Sequence, residues 1–311
     1  MGLAFIFPGQ GSQSVGMGRA MAGASSHARE ILEAVDDALG QHLSRLMFEG
    51  PDEDLTLTVN AQPAIMAASL AVLAVLQREA GIGLSRARFV AGHSLGEYSA
   101  LAAAGSFTLA DTARLLRRRG EAMQAAVPPG EGAMAALLGL PFADVDAIAR
   151  EAAQGQVLAA ANDNAPGQVV VSGHVEAVTR AMRLAKERGA RHSVLLPVSA
   201  PFHCPLMAPA ADVMAEALGK VSLAAPSVPL IANVTAAPVE TPDDIRRLLV
   251  EQVTGTVRWR ESVEAMAGDG ITQMIEVGGK VLAPMVKRIS PDVRCISVAT
   301  PQDVEALLKA F

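Results

Sequence analysis

Ala87-Arg88-Phe89-Val90-Ala91-Gly92-His93-Ser94-Leu95-Gly96-Glu97-Tyr98-Ser99-Ala100-Leu101 is the stretch around which the chain is organised. It opens as a short apolar run of strand type and continues as an alanine- and leucine-rich helix expected to stop at Gly105. Between the two, Gly92-His93-Ser94-Leu95-Gly96 is Gly-x-Ser-x-Gly at a strand-to-helix turn, the context a nucleophile elbow requires. The glycines flank Ser94 because a Cβ at either position of so tight a turn collides with neighbouring backbone. A bare string of this kind also arises by chance as a structural turn. The strand before it and the helix after it are what favour a nucleophilic Ser94. The Leu95 amide begins a helix, so it lacks a helical partner and points toward any oxyanion forming beside Ser94.

Outward from the elbow, strands are expected at 3–7, 228–234, 271–277 and 293–298. Helices are expected at 26–48, 62–79, 108–127, 206–219, 242–253, 259–267, 280–289 and 301–310. Strands alternating with helices imply a largely parallel sheet covered on both faces, with ligands gathered at the carboxyl ends of its strands. Ser94, Gln10 and His203 each follow a predicted strand closely. Pro128-Pro129-Gly130-Glu131-Gly132 breaks the pattern. Beyond it come a strand (133–140), a helix (142–153), two strands (157–161 and 168–172), a helix (175–188) and a strand (192–196). The two middle strands are joined by a loop over 162–167. That β-α-β-β-α-β order is the split βαβ of a ferredoxin-like unit. The expectation is an α/β protein with a mainly parallel sheet domain, 1–129 plus 198–311, and an inserted small domain, 130–197.

At 311 residues the chain exceeds the size at which one core usually stops growing. Half of it is hydrophobic and 19% is charged, which suits a well-buried enzyme. The net charge of −6 offers no basic field for nucleic acid or anionic lipid, and 3% aromatics argue against a base-stacking surface. Cys204 and Cys295 form no CxxC pair and no metal spacing, so free thiols in a reducing compartment are expected, and no metal. The segment 3–7 is too short for a signal sequence, and no apolar run is read as approaching the ~20 residues of a membrane span. A cytoplasmic protein without membrane or nucleic-acid partners is the expectation.

Pro8-Gly9-Gln10-Gly11-Ser12-Gln13-Ser14-Val15-Gly16-Met17-Gly18 follows the first strand. Dinucleotide spacing would need glycine where Ser14 stands, and a P-loop would need Gly-Lys-Ser/Thr. The loop instead suits a close backbone approach, where Gln10 can present a side-chain amide or backbone donor, or is simply a surface turn. A serine nucleophile needs a base. Of six histidines, His27 and His42 lie in amphipathic helices, and His174 and His192 in the small domain. His93 adjoins Ser94 but is expected to point away from it. His203, bracketed by Pro201 and Pro205, is the best placed, with a core histidine as the bland alternative. In Arg117-Arg118-Arg119, helical phase sets Arg118 opposite the apolar stripe and leaves Arg117 and Arg119 both flanking it.

Phe7-Pro8-Gly9-Gln10-Gly11-Ser12-Gln13, Gln62-Pro63-Ala64, the elbow through Tyr98, Arg119-Gly120, Asn162 with Pro166-Gly167-Gln168, Ser199-Ala200-Pro201-Phe202-His203-Cys204 and Glu251-Gln252 occur in one order. That series resembles the malonyl-CoA:acyl-carrier-protein transacylases over nearly the whole chain. Glu276-Val277-Gly278-Gly279-Lys280-Val281-Leu282 departs from the family, one residue short of its Gly-x-Gly-Lys turn. The resemblance implies a hydrolase-like α/β domain carrying a ferredoxin-like insert. It makes Ser94 the nucleophile and His203 its base, and selects Arg119 to grip the free carboxylate of malonate. It puts Gln10 and the Leu95 amide in the oxyanion hole and has Gln252 orient His203 through its backbone carbonyl. Asn162 and Gln168 would reach substrate or the pantetheine arm. The implied substrates are malonyl-CoA and the phosphopantetheine thiol of holo acyl carrier protein, with no cofactor and a monomeric enzyme serving fatty acid synthesis. The alternatives are an acyltransferase of a polyketide pathway, a thioesterase or esterase on the same serine machinery, and a retired acyltransferase kept as a carrier-binding scaffold.

Overall fold

The computed structural model describes residues 2–310. Among these residues ten strands form two sheets. They are β1 (Gly2–Phe7), β2 (Phe89–Gly92), β3 (Gly132–Leu138), β4 (Leu158–Ala165), β5 (Gln168–His174), β6 (His192–Leu195), β7 (Leu230–Ile231), β8 (Pro238–Val239), β9 (Ile271–Val277) and β10 (Arg294–Val298). The six-stranded sheet has the order β10-β9-β1-β2-β7-β8. It is parallel from β10 to β7, with β8 antiparallel at the edge. Strand β1 is central, and its side chains alternate between two apolar layers. Leu3, Phe5 and Phe7 join the layer holding the helix Thr58–Arg78, while Ala4 and Ile6 join Trp259, Val263 and Met274. Burial on both faces is why β1 reads as an unbroken apolar run.

The second sheet, β4-β5-β3-β6, is antiparallel. The helices Phe142–Ala153 and Val175–Glu187 cover one of its faces, burying Val145, Ile148, Val178 and Ala181 against Ala135, Leu137, Val169 and Val171. The two sheets are sewn together beside the elbow. Val257 N–H donates to Ala161 O at 2.8 Å, Asp163 N–H to Val257 O at 2.9 Å, and the Thr256 hydroxyl to Ala160 O at 2.7 Å.

Several boundaries differ from the sequence reading. The expected helix 26–48 is two, Ser26–Leu39 and Leu43–Glu49, because Gly40 ends the first in the left-handed region at φ 59°. The expected loop over 162–167 shrinks to Pro166-Gly167: two bulges let β4 run on to Ala165. Only Leu230–Ile231 of the 228–234 run pairs as strand. The helix Thr58–Arg78 corrects the reading of apolar runs, since its 21 residues are long and apolar enough to cross a membrane. In the fold 89% of that apolar window is buried inside the protein, as a core helix. The short turn after β9 is closed by the buried Glu276 carboxylate. It accepts from the Val281, Leu282 and Ala283 amides at 2.7, 2.8 and 3.0 Å and from the Ser297 hydroxyl at 2.7 Å. A carboxylate on the first amides of the helix Ala283–Ile289 satisfies groups that the helix itself leaves unpaired.

Candidate active site

The carboxyl end of β2 runs straight into the helix Gly96–Ala103, and Ser94 stands at the corner with φ 53°. That left-handed conformation costs an ordinary residue about 1–2 kcal/mol. Backbone crowding enforces it. A Cβ on Gly92 would lie 1.9 Å from Gly96 O, and one on Gly96 would lie 2.3 Å from Phe7 O. Side chains hold both polar atoms of the Ser94 backbone. Its N–H donates to Asn233 Oδ1 at 2.8 Å, and its carbonyl accepts from Gln252 Nε2 at 2.9 Å.

His203 comes from the return loop after the small sheet and is also left-handed, at φ 58°. Its Nε2 lies 2.7 Å from Ser94 Oγ, and its Nδ1 lies 2.9 Å from the Gln252 carbonyl oxygen. A carbonyl only accepts, so Nδ1 carries the hydrogen and Nε2 is free to take the serine proton. Burial, then the neighbouring Arg119 cation, depress the His203 pKa from 6.5 to about 3. The imidazole is therefore neutral and ready as a base at physiological pH. The third member of this relay is a backbone carbonyl, which explains why no acidic partner stands out in the sequence.

Of the two flanking arginines, Arg119 is the one that reaches the serine. It is buried in the helix Leu109–Ala125, donating from Nη1 to Gln62 Oε1 at 2.8 Å and from Nη2 to Gln252 Oε1 at 2.8 Å and Ser94 Oγ at 3.2 Å. Its guanidinium carbon stands 5.7 Å from the centre of the Tyr98 ring, within cation–π range. Arg117 turns elsewhere, to Asn60 Oδ1 at 3.1 Å and Gln41 Oε1 at 2.6 Å.

These groups share one cavity of about 420 Å³, lined also by Gln10, Leu95, His93, Asn162, Asn164 and Phe202. Leu95 is the residue before the helix, so its amide lies outside the helical ladder. Gln10 Oε1 is occupied by the Thr58 hydroxyl at 2.9 Å, which leaves its N–H groups as donors. Asn162 and Asn164 sit two apart on β4 and so share a face. Asn164 Oδ1 is 2.8 Å from His93 Nε2, and the His93 ring lies 5.8 Å from that of Trp259. His93 therefore lines the same cavity as Ser94 rather than leaving it. Gln168 is not brought there. Its Oε1 accepts from Arg288 Nη1 at 2.7 Å, outside the lining of the Ser94 cavity.

Sequence reasoning missed Asn233, Gln62 and Glu97. Asn233 bonds both ends of the elbow, accepting from Ser94 N–H and donating from Nδ2 to Gly92 O at 2.7 Å. Its signal was its place at the carboxyl end of the expected strand 228–234, where ligand-binding residues collect. Glu97 is buried, with Oε2 accepting from Gln252 Nε2 at 2.7 Å and Asn233 N–H at 3.3 Å. Burial raises its pKa from 4.5 to about 7, against the lowering effect of those hydrogen bonds and of Arg119. A charged residue opening an otherwise apolar helix was its signal. Among the described residues no His, Cys, Asp and Glu cluster forms a metal site.

Residues 4–287 match the model of the acyl transferase domain. The chain is 45% identical over 307 residues to the malonyl CoA-acyl carrier protein transacylase of Escherichia coli strain K12, covering 98% of each. It superposes on the crystal structure of an acyl-carrier-protein-S-malonyltransferase from Bartonella henselae with a TM-score of 0.97 and 52% identity, covering 100% of this chain and 99% of that one. It superposes equally, at 0.97 with 39% identity and full coverage of both chains, on a malonyl-transacylase solved in complex with a type II PKS acyl-carrier protein.

Proposed function

The chain belongs to the acyl transferase domain family, and from that premise we propose that it carries malonyl groups from coenzyme A to the phosphopantetheine thiol of an acyl carrier protein, supplying fatty acid synthesis. The observation that carries the reading is the meeting of three groups at one oxygen. Ser94 Oγ lies 2.7 Å from His203 Nε2 and 3.2 Å from Arg119 Nη2.

In the proposed reaction His203 Nε2 takes the Ser94 proton as Oγ attacks the thioester carbon. The oxyanion collects on the Leu95 amide and an N–H of Gln10, where loss of one such donor typically costs about 10²–10³ in rate. The tetrahedral adduct then expels the CoA sulfur, which leaves as the thiol with the proton from His203. The carrier thiol repeats the steps in reverse order on the malonyl-serine ester. Arg119 selects the acyl group. Gln62, Gln252 and Ser94 Oγ engage three of the five guanidinium N–H groups and Nε–H is buried, so the second N–H of Nη1 and the one on Nη2 that esterification of Ser94 frees are left for a carboxylate. An acetyl group would leave that buried charge unmatched. Binding a carboxylate also offsets the cation that depresses His203, so the substrate sharpens the base that acts on it. Asn162 lines the cavity and suits a hydrogen bond to the incoming acyl-pantetheine. Gln168, held by Arg288, is placed to meet only a part of the substrate remote from the reacting carbon. The sheet domain of 1–129 with 198–311 supplies Ser94, His203 and Arg119, and the insert of 130–197 closes the cavity over them. The enzyme is proposed to act as a monomer with no cofactor.

Intact-protein mass spectrometry tests this. Malonyl-CoA is expected to leave a malonyl adduct on the native chain and none on Ser94→Ala, and holo carrier protein is expected to discharge it. Free malonate released without carrier loading would replace the transferase with a hydrolase, and no adduct would overturn the covalent mechanism.

A further inference from the structure

Gln252 joins two buried charges. Its Oε1 accepts from Arg119 Nη2 at 2.8 Å while its Nε2 donates to Glu97 Oε2 at 2.7 Å. Arg119 and Glu97 are both 1% exposed, so neither charge is relieved by water. A lone buried ion is costly, and a buried pair persists because each member offsets the other. Above about pH 7, where Glu97 is mostly ionised, the buried space behind Ser94 therefore holds one positive and one negative group without substrate and is balanced. A malonyl carboxylate seated on Arg119 adds a second anion to the same water-poor space.

We infer that Glu97 is the standing counter-charge of Arg119 and that it takes up a proton from solvent when a substrate carboxylate reaches the guanidinium. The inference rests on the reading of Arg119 as the carboxylate-binding residue. Both donors to Glu97 fall on Oε2, so a proton on Oε1 disturbs neither hydrogen bond. Arg119, from the helix Leu109–Ala125, is the charged group that faces Glu97. Tyr98 adjoins it on its own helix and is held protonated by burial. Asn233 and Gln252, from the other elements packed on it, do not ionise. His203 is linked to it only through Gln252. In the empty site burial already holds Glu97 near pKa 7, so it is poised to change state within the physiological range. Removing the effect of Arg119 moves it further up. Acyl transfer itself consumes no net proton, because the serine hydrogen leaves on the CoA thiol. Glu97 touches no substrate and acts through Arg119.

The test is a proton count on binding. Ser94→Ala, which cannot be acylated, is titrated calorimetrically with malonyl-CoA at about pH 8 in phosphate and in Tris, whose different ionisation heats report protons exchanged. Acetyl-CoA under the same conditions cancels protons belonging to the CoA phosphates. The expected result is an uptake of about half a proton or more with malonyl-CoA over acetyl-CoA, absent when Glu97→Gln is added. Malonyl-CoA affinity should also fall as pH rises from the free to the substrate-bound Glu97 value, by about threefold per pH unit where half a proton is taken up and up to about tenfold where a whole one is, and be flat in Glu97→Gln. The count with Glu97 in place needs no variant at that position, should Glu97→Gln fail to fold. Malonyl-CoA binding more tightly than acetyl-CoA, in a manner lost in Arg119→Ala but without proton uptake, overturns the inference and leaves the Arg119 reading standing. Equal affinity for the two thioesters overturns both.

Discussion

Replacing Asn233 with alanine should damage the nucleophile without touching it. The side chain is buried at 1% exposure and bonds Ser94 N–H at 2.8 Å and Gly92 O at 2.7 Å. Asn233→Ala strands one buried donor and one buried acceptor at about 1–3 kcal/mol each, for a loss of about 2–6 kcal/mol. The elbow can offset part of this by relaxing. Ser94 at φ 53° holds about 1–2 kcal/mol of strain that Asn233 and Gln252 restrain, and releasing it swings Oγ away from His203 Nε2. A displacement of about 1 Å costs about 100-fold in rate. The carboxylate introduced by Asn233→Asp would accept from Ser94 N–H but could not donate to Gly92 O, and it would stand beside Glu97, so this variant should rescue neither quantity. Urea unfolding reads the stability, and quenched-flow mass spectrometry of the malonyl adduct reads the acylation rate. If Asn233→Ala loses less than about 0.5 kcal/mol and acylates within about threefold of the native rate, the elbow is held by its glycines alone and the reasoning fails.

Arg119→Ala should lower kcat/KM for malonyl-CoA by about 10²–10³, the worth of two charge-assisted hydrogen bonds, while acetyl-CoA transfer rises. An unchanged acyl preference in competition assays would count against its role. Because His203 is held near pKa 3, the acylation rate should show no inflection at the ordinary histidine value of 6.5, with the acid limb appearing only well below it. In Arg119→Ala that limb should move to higher pH, since one cause of the depression is gone. The folded state binds His203's proton more weakly than the unfolded chain, so this group's contribution is complete above pH 6.5 and is lost as pH falls toward 3. Gly96→Ala drives a Cβ to 2.3 Å from Phe7 O and should abolish the malonyl adduct, with circular dichroism showing whether the sheet survives the shift.

The elbow was legible because its glycines are demanded by contacts four or five residues away in sequence or across the neighbouring strand. The alternation of strands and helices was legible for a similar reason: both faces of a parallel sheet must be apolar. The arginine was not, since Arg117 and Arg119 both turn inward, toward Asn60 and Gln41 in one case and Ser94 in the other. Periodicity reports which face is buried and says nothing of what waits there. Asn162 falls in the expected loop over 162–167, whereas bulges in β4 carry it as strand, with Asp163 facing Arg260 Nε at 2.9 Å and the two asparagines turned to the cavity. Asn233 and Glu97 work by converging from separate segments on the Gln252 side chain, whereas the resemblance named only the Gln252 carbonyl, and that convergence is invisible until the chain has folded.

The seam between the two sheets also fixes where the floor of the cavity is anchored. Near Val257 the halves share backbone hydrogen bonds with Ala161 and Asp163, and the Thr256 hydroxyl adds one to Ala160 O. The strand fastened there, β4, is the one that carries Asn162 and Asn164 to the cavity, so these two amides are registered against the backbone of the other sheet within a residue or two of where they act. Alterations along β4 are in this way felt at the substrate, because the strand that borders the cavity and the strand that is sewn to the neighbouring sheet are the same.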